Sequence, residues 1–238
     1  MAAGGAAAFE STVPGGLFDR LKAAAATSWK AYIEHAFVHA LADASLPEAC
    51  FRHYLTQDYL FLVHFARAYG LAVFKADTLA DMRHAAAGLS AIIDQEMGLH
   101  VAYCRRWHLE EAEMAAAAEA DATIAYTRFV IDRGVAGDLL DLYVALAPCI
   151  VGYAEIGRRL KESPTTMLDG NPFGDWIEMY ASPEYQDIAA AHVAQMDRLM
   201  ERRGGPGRVS SLEVIFRQAT RLEEAFWQMG LAANPSLP

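Results

Sequence analysis

The chain has 238 residues, 54% of them apolar and 21% charged, which is the profile of a soluble globular protein with room for one large core. Its formal net charge is -10, and the basic pairs Arg105-Arg106, Arg158-Arg159 and Arg202-Arg203 stand apart rather than clustered. That distribution excludes the basic surface a nucleic-acid partner needs.

Cys50, Cys104 and Cys149 make an odd count with no CxxC spacing, which fits a reducing cytoplasm and argues against a disulfide framework or a cysteine-rich zinc site. The first residues, MAAGGAAAFESTVPGG, lack the basic start and apolar run of a signal peptide, and residues 1–14 read as a flexible arm. No unbroken apolar run reaches the roughly 18 residues of a membrane span, so no membrane partner is expected.

In chain order, almost every segment shows helical spacing and none shows convincing strand alternation. A first helix opens near Leu17 with Leu21, Trp29, Tyr32 and Ile33 on its buried side, and His35 to Asp43 reads as a short second helix. Ser45, Pro47 and Glu48 form a helix start with a capping box, and the helix they open runs to about Lys75. Thr78 and Asp81 open another that reaches Trp107. The alanine-rich patch from Ala112 to Ala122 reads as a connection, and Asp121 to Arg133 as a helix stopped by Gly134.

Asp138 then caps a helix over Leu139 to Leu160. Met167 to Phe173 is a turn-rich link. Ser182-Pro183-Glu184 starts a helix to Arg203, which the run Gly204-Gly205-Pro206-Gly207 ends. Ser210 and Glu213 form a last capping box, and the helix continues to about Gly230. The expectation is one all-α domain over residues 15–232, built from seven to eight helices, with a flexible tail at 233–238.

Four side-chain patterns carry chemistry. Tyr54, Asp58, Phe61, Phe65 and Tyr69 share one helix face, which sets a carboxylate among aromatics, where an unpaired charge is costly. Asp58 either pairs with an Arg or a backbone amide, or waits for a ligand that carries N–H groups. Glu223 sits in the apolar stripe of Phe216, Ala219, Phe226 and Gly230, either buried as a proton carrier or reaching out to water.

Cys149 follows the interior Pro148, whose ring and missing N–H disturb a helix by roughly 3 kcal/mol or more. The thiol is therefore held at a bend with Tyr153 on the same face, and Gly152 leaves room for a flat group. The alternative is inert packing, the reading given to Cys50 and Cys104. Glu96 and His100 are spaced as metal ligands, but the paired Glu-x-x-His motifs of di-iron bundles are absent, so no metal is assigned. Haem ligation by His35 or His39 has no further support.

The stretches FVHALADASLP, YLTQDYLFLVHFAR, LAPCIVGYAEIG and EEAFWQM, in that order between Leu17 and Gly230, resemble the TenA family, which includes thiaminase II, also called aminopyrimidine aminohydrolase. The resemblance implies a haem-oxygenase-like fold that needs no haem or other cofactor, and a homotetramer. It implies Cys149 as nucleophile, Asp58 as the acid that holds the amino group and ring nitrogen of a pyrimidine, and Glu223 as acid/base at the leaving group. It also implies that Phe61, Tyr126, Tyr153 and Tyr180 line the pocket, with Phe61 standing where relatives often carry a tyrosine.

The implied reaction releases hydroxymethylpyrimidine from an aminomethylpyrimidine or thiamine, in thiamine salvage. Two other readings share the fold: a protein that binds a pyrimidine or thiamine without turnover, and a metal- or haem-dependent redox protein.

Overall fold

The computed structural model describes residues 15–233; the arm expected at 1–14 and the tail beyond 233 lie outside the described residues. Among them the chain forms thirteen α-helices, two π-helical turns and no strand. It divides into two compact units, one made of the chain up to Leu46 with Leu146–Glu224, the other of Pro47–Ala145 with the chain from Ala225.

The first unit begins with α1 (Leu17–Ala24), α2 (Ala26–Ile33) and α3 (Ala36–Ala42). Trp29 stacks on Phe216 with centroids 5.5 Å apart and meets Phe18 edge-on at 5.7 Å. Such pairs contribute about 0.5–1.5 kcal/mol beyond the area they bury. His35 caps α3 by accepting from the Phe37 amide, which ends the sequence's ambiguity over where the first helices stop. The Met167–Phe173 link is pinned by Asn171, whose amide donates to the Leu41 and Met167 carbonyls, each at 2.8 Å.

The second unit is laid along α4 (Glu48–Lys75), whose stripe from Tyr54 to Tyr69 is buried as its spacing predicts. Around it pack α5 (Leu79–Ser90), a π-helical turn at Ala91–Glu96, α6 (Met97–Arg106), α7 (Glu111–Ala116) and α8 (Asp121–Ala136). Gln57 on α4 fixes the approach to α8. Its amide donates to the Ala118 carbonyl at 3.0 Å, and its oxygen accepts from the Ala120 amide and the Thr123 hydroxyl. The unit also holds most of α9 (Leu139–Ala147).

Three further helices complete the chain: α10 (Tyr153–Glu162), α11 (Gly174–Ala181) and α12 (Pro183–Arg203), before α13 (Arg208–Ala232). Thr78, Asp138 and Ser182 cap where expected, each accepting from a backbone amide. The two proposed capping boxes at Ser45 and Ser210 do not form. The α4 helix starts after Pro47 with no side-chain cap, and Ser210 lies inside α13, which starts as soon as the glycine run ends.

The helix count exceeds seven to eight for local reasons. A break at Ala25 divides the first helix, and the stretch from Leu79 to Arg106 changes pitch midway. The alanine-rich connection holds α7, where Glu110 and Glu113 make a capping box of carboxylates in place of the usual hydroxyl. Leu139–Glu162 is one continuous helical stretch, long and apolar enough to cross a membrane by length and composition, yet its most apolar 18 residues are 94% buried within this structure, as in a core helix.

Candidate active site

In the first unit, the stretch predicted as one helix around Pro148 holds a π-helical turn over Pro148–Gly152 between α9 and α10. The proline ring would strike the Val144 carbonyl in a regular helix, and it offers no N–H to satisfy that carbonyl. A turn with i→i+5 bonding takes up the misfit and widens the helix there. Cys149 is the second residue of this turn and is half-buried, whereas Cys50 and Cys104 are fully buried.

The space left by Gly152 is filled by the protein itself. A Cβ there would lie 2.3 Å from a ring carbon of Tyr32 and 2.6 Å from its hydroxyl. The flat group expected at this glycine is thus Tyr32, whose hydroxyl donates to the Pro148 carbonyl at 3.3 Å. Tyr32 lies 116 residues from Pro148 in the sequence, and no local pattern announces the contact.

Tyr153 and Tyr180 come together in one aromatic cluster, centroids 4.8 Å apart, with Trp176 4.6 Å from Tyr180. Gly157 makes this possible: a Cβ there would sit 2.5 Å from the Tyr180 carbonyl carbon, so α10 and α11 touch backbone to backbone. Glu223 on α13 is 2% exposed, which decides for burial between the two expectations for that carboxylate. Glu155, not singled out in the sequence, is also buried, with Lys22 Nζ at 2.7 Å.

In the second unit, Phe61 and Tyr126 pack together at 5.0 Å, with Phe226 at 5.9 Å and Phe65 at 5.7 Å from Phe61. Asp58 is 7% exposed. Its neighbours are the Tyr54 hydroxyl, which donates to it, the His100 ring with Nδ1 3.5 Å from Oδ2, and the Glu96 and Cys104 side chains. The pairing with an Arg or a backbone amide foreseen for Asp58 is replaced by this set.

Burial, reinforced by the nearby Glu96 carboxyl, pushes Asp58 up to about 8, with the Tyr54 hydrogen bond opposing. Burial lifts Glu96 to about 7 and Cys104 to about 12, the latter with help from Asp58. Burial lowers His100 to about 4 against the pull of its bond to the Leu55 carbonyl. Glu96, His100 and Cys104 recur at steps of four, a signal present in the sequence but read there only as a metal pair and an inert thiol. Among the described residues no three Asp, Glu, His or Cys side chains are grouped so as to hold a metal ion.

This all-α chain, with no strand among its described residues, has the fold termed heme oxygenase-like. A Shewanella denitrificans domain described with that fold superposes with a TM-score of 0.69 over 92% of both chains at 14% identity, which speaks for the fold alone. The sequence matches the TENA/THI-4/PQQC family over residues 22–233, and the chain belongs to that family.

The chain is similar to a TenA family transcription regulator from Silicibacter sp. TM1040, at 42% identity and a TM-score of 0.86, covering 90% of this chain and 96% of that one. It is 45% identical to an uncharacterised protein of Haemophilus influenzae over 85% of this chain and 93% of the relative. An aminopyrimidine aminohydrolase of Halalkalibacterium halodurans is 36% identical over 84% of this chain and 89% of its own length.

Proposed function

We propose that this chain is a thiaminase II-type C–N hydrolase that releases hydroxymethylpyrimidine from an aminomethylpyrimidine or thiamine, in thiamine salvage. The observation that carries the reading is the placement of Cys149, the half-buried one of three thiols, on a π-helical turn. Turns of that kind are frequent at functional sites. The similarity to a named aminopyrimidine aminohydrolase supports the substrate class.

In this reading the Cys149 thiolate adds to the pyrimidine ring and breaks its aromaticity. The exocyclic methylene then expels its substituent, either an amine that takes a proton from Glu223 or a thiazole that leaves uncharged from the thiazolium and needs none. Water adds to the methylene and gives a proton to the Glu223 carboxylate, and loss of the thiolate restores the aromatic ring. Asp58 holds the amino group and ring nitrogen, and Phe61, Tyr126, Tyr153 and Tyr180 supply the walls.

Three free cysteines support a reducing, cytoplasmic setting, and we assign a homotetramer as the working form. A turnover assay on aminomethylpyrimidine and on thiamine, followed by chromatography of hydroxymethylpyrimidine, tests the mechanism. Cys149→Ser is expected to abolish release while tight binding of the ring persists. Full activity in that variant removes the nucleophile, and binding without product in the parent protein leaves a sequestering protein instead.

A further inference from the structure

His100 has two ring nitrogens in different surroundings. Nε2 lies 3.0 Å from the Leu55 carbonyl, an acceptor only, so that nitrogen carries the proton. Burial keeps the ring neutral across the ordinary pH range, which leaves Nδ1 with a bare lone pair. That lone pair is 3.5 Å from Oδ2 of Asp58. A carboxylate there would set one lone pair against another in a buried site, whereas a carboxylic acid offers its O–H. Tyr54 from the same helix, Glu96 from the π-helical turn, and His100 and Cys104 from α6 surround Asp58, and none of these four supplies a positive charge at neutral pH.

Resting on the reading of Asp58 as the ring-binding acid, we infer that Asp58 meets its ligand as an uncharged carboxylic acid, kept so by His100 as a positioning residue, and that the heterocycle is taken up in its neutral form. The edge of an aminopyrimidine presents a ring-nitrogen acceptor beside an amino donor. The acid presents an O–H and a C=O in the matching order, so two hydrogen bonds form and no charge moves. The 3.5 Å separation from Nδ1 exceeds the usual hydrogen-bond range, so the acid proton turns to the ring nitrogen without giving up a strong bond.

Calorimetric titration of the full chain with hydroxymethylpyrimidine near neutral pH, in two buffers of different ionisation enthalpy, counts the protons exchanged. The expected count is zero, with affinity falling about tenfold per pH unit once the pH passes the acid's own pKa. His100→Ala removes the Nδ1 lone pair and leaves room for water that can donate to a carboxylate, while the Leu55 carbonyl stays inside α4. Its decline should begin at least about half a pH unit earlier, roughly threefold weaker binding at a fixed alkaline pH. In Asp58→Asn, whose amide copies the donor and acceptor of the neutral acid, the alkaline decline should vanish.

Uptake of one proton by the parent protein overturns the inference, as does an unshifted profile in His100→Ala or absence of binding at every pH. Should His100→Ala not fold, the proton count on the parent protein decides. Binding needs no turnover, so a zero count without hydrolysis defeats the hydrolase reading alone, and hydrolysis with one proton taken up defeats this inference alone.

Discussion

Cys149 differs from the other two thiols in what surrounds the sulfur. Cys50 is sealed in the second unit with its sulfur 3.4 Å from the Leu231 carbonyl, and burial raises its pKa. Cys104 is pushed up to about 12. Since the thiolate is the reacting species, brief iodoacetamide treatment of the native protein should label Cys149 first, by at least about tenfold over either neighbour. Peptide mass spectrometry reads this directly, and equal labelling of the three would remove the distinction.

The acids around Asp58 make a second prediction. A carboxyl whose folded pKa lies above its ordinary 3.8 keeps a proton that the unfolded chain has already lost. Its contribution to stability is complete below that ordinary value and is lost as pH rises through about 8, and Glu96 acts likewise through about 7. His100, lowered to about 4, instead erodes stability as pH falls below its ordinary 6.5. Urea midpoints should therefore decline from slightly acid to alkaline pH, and Asp58→Asn should flatten that slope. A slope unchanged in the variant would mean that Asp58 is ionised throughout.

Asp58 and Glu223 were legible in the sequence because each breaks an apolar stripe at helical spacing. His100 and Glu96 were not read as neighbours of Asp58, since spacing within one helix does not tell which other helix that face meets.

At the level of the element, Pro148 announces the π-helical turn, because a proline inside an apolar helical pattern must be accommodated somehow. The other such turn, Ala91–Glu96, has no proline or glycine, and its sequence AIIDQE reads as ordinary helix. Gly152 and Gly157 look alike in sequence, yet they meet different obstacles. At Gly152 the obstacle is the buried Tyr32 ring, itself packed edge-on against Trp29 at 5.8 Å. At Gly157 it is the backbone of Tyr180 and Ala181, with a Cβ 2.5 Å from one carbonyl carbon and 2.7 Å from the next amide nitrogen.

A side chain can yield by a rotamer shift and a backbone cannot, so Gly152→Ala should cost about 1–3 kcal/mol and Gly157→Ala more than that. Melting temperatures rank the two, with roughly 2–4 °C lost per kcal/mol for a chain of this size. The reverse order would show that α11 moves away more easily than Tyr32 does. Tyr180 belongs to the same argument, since its place beside Tyr153 depends on the absent side chain at Gly157.

For the whole molecule, the proposed tetramer has a physical correlate in the second unit. Phe74 is 82% exposed near the end of α4, and Val135 is 62% exposed near the end of α8. The two ends are joined where Lys75 donates to the Val135 carbonyl at 3.1 Å. Large apolar side chains left in water at neighbouring positions are what a self-complementary interface covers. Light scattering should give a mass near four times 26.0 kDa, and Phe74→Glu should lower it. A monomer in both cases would leave these residues without an explanation.

The all-α architecture was readable from periodicity alone, and the resemblance across four ordered stretches pointed to the family. The division of the chain into two units was not readable, because nothing in composition changes at Leu46 or Leu146.

That division has a bearing on how the chain is made. Synthesis delivers α1 to α3 well before the segments they pack against, since Phe18 and Trp29 meet Phe216 and Tyr32 meets the turn at Pro148. Everything from Pro47 to Ala145 leaves the ribosome in between. The nascent amino-terminal helices therefore wait with their apolar sides uncovered until the carboxyl-terminal half arrives.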